Sequence, residues 1–157
     1  GKKAPSFSLP VVGGEYEEGS KISLSKLKGS KVVLYFYPKD DTSGCTSEAV
    51  AFSGLKSEFD ALGVPVIGIS PDPVKKHVKF IEKHDLQVRL LADEEKTFLE
   101  ACGVWVQKSM YGKTYMGVER TTVLVDADGT VAKLWPKVKV PGHAEAVLEA
   151  AKAHSSS

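Results

Sequence analysis

Apolar positions along this chain come in short runs whose period changes from one segment to the next. Residues 31–37 (KVVLYFY) form a nearly continuous apolar run rich in β formers, bounded by Gly29, Ser30 and Pro38. That pattern predicts a strand buried on both faces. Past the turn residues 40–44 the period becomes helical: Phe52, Leu55, Phe59 and Leu62 share one face, and Gly63 ends the helix. Residues 64–69 predict a second buried strand. Pro71, Asp72 and Pro73 then open a helix with Val74, Val78 and Ile81 on one face.

Farther on, residues 87–91 predict a weaker strand, and 94–101 a short helix stopped by Gly103. A loop rich in aromatics and methionine follows, with Trp105, Met110, Tyr111, Tyr115 and Met116. Residues 121–125 and 130–135 flank Ala127, Asp128 and Gly129, a hairpin signal. A last helix covers 144–153. The order is strand, helix, strand, helix, strand, helix, hairpin, helix. The early βαβ unit implies parallel pairing and the hairpin adds antiparallel strands. The expected class is α/β: a thioredoxin-like fold, with a mixed central sheet flanked by helices.

Composition narrows the function. A chain of 157 residues predicts one domain over 1–157. A net charge of +1 leaves no electrostatic footprint for nucleic acid or a membrane surface. No apolar run approaches the ~20 residues that span a bilayer. The start (GKKAP) has no apolar core of a signal peptide, and Ser155, Ser156 and Ser157 read as a frayed tail. Two cysteines, Cys45 and Cys102, are too few for a disulfide scaffold. The expectation is a cytoplasmic monomer whose thiols are free, catalytic or transiently bonded.

Cys45 follows the first long strand and precedes the first long helix. Sites in open α/β sheets sit beyond the carboxyl ends of strands. A helix N-terminus favours an anion, and so a thiolate, which is the nucleophilic form of cysteine. The plainer reading is a small buried hydrophobe. Asp40 and Asp41 oppose a thiolate unless they point away, so a cation must come from elsewhere in the fold. Arg120, just before a strand, is the candidate.

The surrounding residues 38–46 (PKDDTSGCT) resemble the peroxiredoxin active-site pattern: Pro, then Thr or Ser four residues on, then Cys three after that. The lead-in YFY at 35–37 is similar to the bacterioferritin-comigratory, or Q-type, branch. So are the distant segments GVW at 103–105, Lys108, MYGK at 110–113 and ERTT at 119–122. The resemblance runs from APSF at 4–7 over essentially the whole chain. It implies a thiol peroxidase for hydrogen peroxide and alkyl hydroperoxides, with no metal, haem or flavin. Cys45 is then the peroxidatic cysteine and passes through a sulfenic acid. Thr42 supplies a hydroxyl to the peroxide, and Arg120 holds the thiolate and polarises the O–O bond. Pro38 shields the sulfur and bounds the pocket. Read alone, Thr42 is a turn or cap residue and Arg120 a surface strand residue.

The chain departs from that branch at the second thiol. Many members carry a resolving cysteine five residues after the first, where this chain has Val50; others carry it in the helix after the second strand, and 74–85 contains none. Cys102 stands where an aromatic is expected and reads as a half-buried helix-end residue. These absences imply recycling by an external thiol: thioredoxin, glutaredoxin or a small thiol. The absence of a Cys-x-x-Cys weighs against a thiol-disulfide oxidoreductase. An unreactive binding module on the same fold would leave Cys45 an ordinary thiol.

Other polar features read as structural. His77, His84, His143 and His154 have no metal-ligand spacing and are expected to be solvated. Residues 126–129 (DADG) begin like a calcium loop but lack its late Glu, so they form a turn. Residues 133–139 are basic and alternate as a strand does.

Overall fold

The computed structural model describes residues 3–13, 20–27 and 29–154. Gly1, Lys2 and the serine tail lie outside the described residues, as does the side chain of His154. The strands are β1 (Ser8–Val12), β2 (Lys21–Ser23), β3 (Val32–Phe36), β4 (Val66–Ser70), β5 (Arg89–Ala92), β6 (Trp105–Met110), β7 (Lys113–Val118), β8 (Thr121–Val125) and β9 (Val131–Trp135). The helices are α1 (Leu24–Leu27), α2 (Ser43–Gly54), α3 (Lys56–Ala61), α4 (Val74–His84), α5 (Thr97–Ala101) and α6 (His143–His154).

Seven strands make one sheet in the order β2-β1-β5-β4-β3-β8-β9. β3, β4 and β5 run parallel, while β8 and β9 on one side and β1 and β2 on the other are antiparallel. Every residue of β3 and β4 is buried, as their unbroken apolar runs predict. Alternation along β3 divides the core. Val33, Tyr35 and Tyr37 face a cluster with Phe52, Phe59, Phe80 and Val147. Val32, Leu34 and Phe36 face a second one with Phe7, Phe98 and Leu99. Helices thus cover both faces, and the thioredoxin-like fold stands.

Several elements differ from the sequence-based expectation. The long helix breaks at Leu55 into α2 and α3, and the periodic residues still reach the same core. The aromatic loop is a second sheet, the β6–β7 hairpin. It turns at Tyr111 and Gly112, both in the left-handed region (φ 54° and 78°) that a tight two-residue hairpin turn requires. β9 ends at Trp135, so the alternation to residue 139 is not a strand. On α4 the residues facing inward most fully are His77 and Phe80. The histidines are not all solvated: His77 and His143 are buried, and His84 is half-buried.

Candidate active site

β3 ends at Phe36, and the chain crosses a short loop, 37–42, into α2. Thr42 is the N-cap, with extended backbone (φ −96°, ψ 159°), and its carbonyl accepts the first helical bond from Thr46 N–H at 2.8 Å. Its hydroxyl does not cap the helix; it donates to the Lys39 carbonyl at 2.8 Å. Cys45 is therefore in the first turn of α2, as expected, and is 1% exposed, in the buried cluster that also holds Tyr35, Tyr37 and Phe52. Pro38 opens the loop, half-buried.

Arg120 arrives from the turn between β7 and β8, carried next to β3 by antiparallel pairing of Thr121 with Phe36. Its Nη2 donates to Cys45 Sγ at 3.2 Å, and its Nη1 donates to Glu48 Oε1 at 2.6 Å. Burial works against the charge on Arg120, but Cys45 and Glu48 outweigh it and hold the guanidinium above its usual range. A Cβ at Gly44 would stand 3.2 Å from Arg120 Nη2, so the guanidinium would have to give by a few tenths of an ångström. Of the sequence-predicted partners, Arg120 is the one hydrogen-bonded to the sulfur among the described residues, and Thr42 enters the same helix three residues ahead of Cys45.

Sequence reasoning missed Glu48. It lies three residues after Cys45 on the same helix face, a spacing that places two side chains together. It is 1% exposed, and burial raises its pKa to about 7, against the pull of Arg120. Its Oε2 and the nearby Tyr35 hydroxyl are both buried without a protein partner. Lys108 on β6 joins the same electrostatic field. Burial, then Arg120, lowers its pKa, while Cys45 and Glu119 pull the other way.

The two aspartates do point away from the sulfur. Asp40 accepts from Tyr37 Oη at 2.6 Å and pairs with His77 Nδ1 at 2.6 Å. Asp41 sits in the left-handed region (φ 59°) and pairs with Lys83 at 2.7 Å and His84 at 2.8 Å. Hydrogen bonds from His84 and then Lys83 hold its carboxyl below the usual range.

Cys102 is elsewhere. It ends α5 and packs against the core on the opposite face of the sheet from Cys45. The sheet lies between the two clusters in which these cysteines pack, whereas a disulfide needs Cα atoms roughly 4.4–6.8 Å apart. Burial, with a smaller contribution from Asp93, pushes its thiol up to about 12, so it stays protonated. Val50 is exposed on α2.

The chain is similar over nearly its whole length to known proteins. A family model described as the AhpC/TSA family matches residues 1–134. Peroxiredoxin Bcp of Bacillus subtilis is 45% identical over 152 residues, covering 97% of this chain and 94% of that protein. A solved structure of Xanthomonas campestris peroxiredoxin Q superposes with a TM-score of 0.87 at 42% identity, covering 95% of this chain and 91% of that one. Structures of trapped intermediate and ligand complexes of the bacterioferritin comigratory protein of that organism, which address its alkyl peroxide reduction activity, also score 0.87. They share 41% identity and cover 95% of this chain and 92% of that one.

Proposed function

The chain belongs to the AhpC/TSA family and is a thiol-dependent peroxidase of the Bcp, or Q-type, peroxiredoxins; on that premise we propose that Cys45 is its peroxidatic cysteine and works without a second thiol of the chain. The observation that carries the assignment is the 3.2 Å hydrogen bond from Arg120 Nη2 to Cys45 Sγ at the start of α2. In the proposed step the Cys45 thiolate attacks the nearer peroxide oxygen. The O–O bond breaks, the sulfur is oxidised to a sulfenic acid, and the other oxygen leaves as hydroxide or alkoxide and takes a proton. Arg120 stabilises the sulfur and the charge that develops on the leaving oxygen. Thr42, its hydroxyl turned from Lys39, donates to or accepts from the peroxide, and Pro38 keeps bulk water from the sulfur. Alkyl hydroperoxides are proposed substrates beside hydrogen peroxide, in line with the alkyl peroxide reduction activity of the Xanthomonas relative.

Recycling then needs two external thiols. The first condenses with the sulfenic acid, forming a mixed disulfide and releasing water; the second displaces Cys45 as a thiol and leaves as the oxidised disulfide. Support comes from the place of Cys102 across the sheet, from Val50 five residues after Cys45, and from residues 74–85, which contain no cysteine. Thioredoxin, glutaredoxin or a small thiol can fill the role. Residues 1–157 act as one domain and one monomer.

Intact mass after one equivalent of peroxide tests the recycling. With dimedone, a single adduct on Cys45 is expected in the wild type and in Cys102→Ser alike, and non-reducing gels show no covalent dimer. A rapid, reversible disulfide through Cys102 would overturn the one-cysteine cycle.

A further inference from the structure

We propose that His77 is a positioning residue for the peroxide step. Through Asp40 it fixes the loop that delivers Pro38 and Thr42 to Cys45. The proposal rests on the peroxidase reading of Cys45 and deepens it.

His77 on α4 is 0% exposed, yet both its ring nitrogens are engaged. Nε2 lies 2.9 Å from the Leu91 carbonyl, and Nδ1 lies 2.6 Å from Asp40 Oδ2. A carbonyl only accepts, so Nε2 carries a proton, and a second proton lies between Nδ1 and the Asp40 oxygen in their hydrogen bond. The second oxygen of Asp40 accepts from Tyr37 Oη at 2.6 Å. The Asp40 backbone N–H donates to Asp72 Oδ2 at 2.8 Å, and that same oxygen takes the Ser70 hydroxyl at 2.7 Å. Three polar atoms of one loop residue are thus tied, through buried bonds, to α4, to the end of β3 and to the loop after β4. The carbonyl that holds His77 belongs to β5.

The loop has little freedom left on either side. Before Asp40, the Lys39 carbonyl takes the Thr42 hydroxyl. After it, Asp41 holds Lys83 and His84, also of α4. A buried network of this kind is costly to leave half-satisfied, so losing the His77–Asp40 bond shifts the loop rather than leaving an idle carboxylate. The loop ends two residues before Gly44, over which Arg120 lies. Displacements near 1 Å at reacting groups are worth up to roughly a hundredfold in rate. His77 does not touch the sulfur and acts only through Asp40.

Two substitutions separate this role from general support. The amide nitrogen of Asn reaches where Nδ1 stands and keeps the bond to Asp40. That of Gln reaches where Nε2 stands and keeps only the bond to Leu91. The measurement is the single-turnover rate of Cys45 oxidation by hydrogen peroxide, with the thiolate absorbance followed against pH and the unfolding midpoint recorded. The expected result is His77→Asn within about threefold of wild type and His77→Gln about tenfold slower. The thiolate profile should be the same in both, because Arg120 and Glu48 are untouched. Folded variants that are slowed equally, or not at all, would overturn the proposal. Should either variant fail to fold, Tyr37→Phe removes a bond to the same carboxylate and keeps the ring; it is expected to be about threefold slower, and a wild-type rate would overturn the proposal. A wild type no faster than a free thiol would instead overturn the assignment of Cys45, and with it the role of His77.

Discussion

Arg120 donates through Nη1 to Glu48 Oε1 at 2.6 Å and through Nη2 to Cys45 Sγ at 3.2 Å, so one guanidinium serves a buried carboxyl group and the cysteine sulfur together. The carboxylate is the unfavourable member. Its pKa rises from 4.5 to about 7, chiefly through burial. Between those values the folded protein binds a proton that the unfolded chain releases. The stability that this proton supplies is complete below about 4.5 and lost as pH rises through 7. A shift of that size corresponds to about 3 kcal/mol. Denaturant unfolding of Glu48→Gln beside wild type should show their difference moving by about that amount in favour of the variant between pH 4.5 and 8. Parallel pH profiles would show that Glu48 carries no such load.

Lysine at position 120 keeps the charge but offers one compact ammonium, which cannot reach both Glu48 and Cys45 as a planar fork does. Arg120→Lys is expected to slow Cys45 oxidation about a hundredfold, the scale of a lost charge-stabilising donor. Stopped-flow oxidation under excess peroxide reads this directly. A rate within threefold of wild type would mean that charge alone suffices.

The wall under the site depends on Gly68, which pairs with Tyr35 across β3 and β4. A Cβ at 68 would stand 2.6 Å from Tyr35 Cζ and 2.9 Å from Leu90 Cδ2. The Tyr35 ring cannot yield, being stacked on Phe52 at 4.8 Å and Tyr37 at 5.6 Å. Gly68→Ala is expected to cost about 1–3 kcal/mol in urea unfolding. A loss under 0.5 kcal/mol would contradict that packing.

Much of this architecture was legible in the residues. β3 and β4 announce themselves because both their faces are buried. β1 and β2 do not, being short and partly exposed, with Pro10 inside β1. The β6–β7 hairpin hides for a related reason: most of its residues are exposed on both faces, so no half-buried alternation marks it. The meeting of Cys45 and Arg120 is expected from spaced motifs that agree along the chain, and the two are hydrogen-bonded. The burial of Glu48 and His77 is not, because a charged or imidazole side chain on a helix ordinarily faces water. What buries them is tertiary: Arg120 arriving from the turn before β8, and Asp40 turned inward by its own loop.

The central claim is that Cys45 is the sulfur that reduces peroxide. The most direct measurement is the second-order rate of hydrogen peroxide consumption in a single turnover, for wild type beside Cys45→Ser, both shown to be folded. A rate orders of magnitude above that of a free thiol, abolished in the variant, is the predicted result. A reduced, folded wild type that reacts no faster than a free thiol, or a variant that keeps the rate, would contradict it.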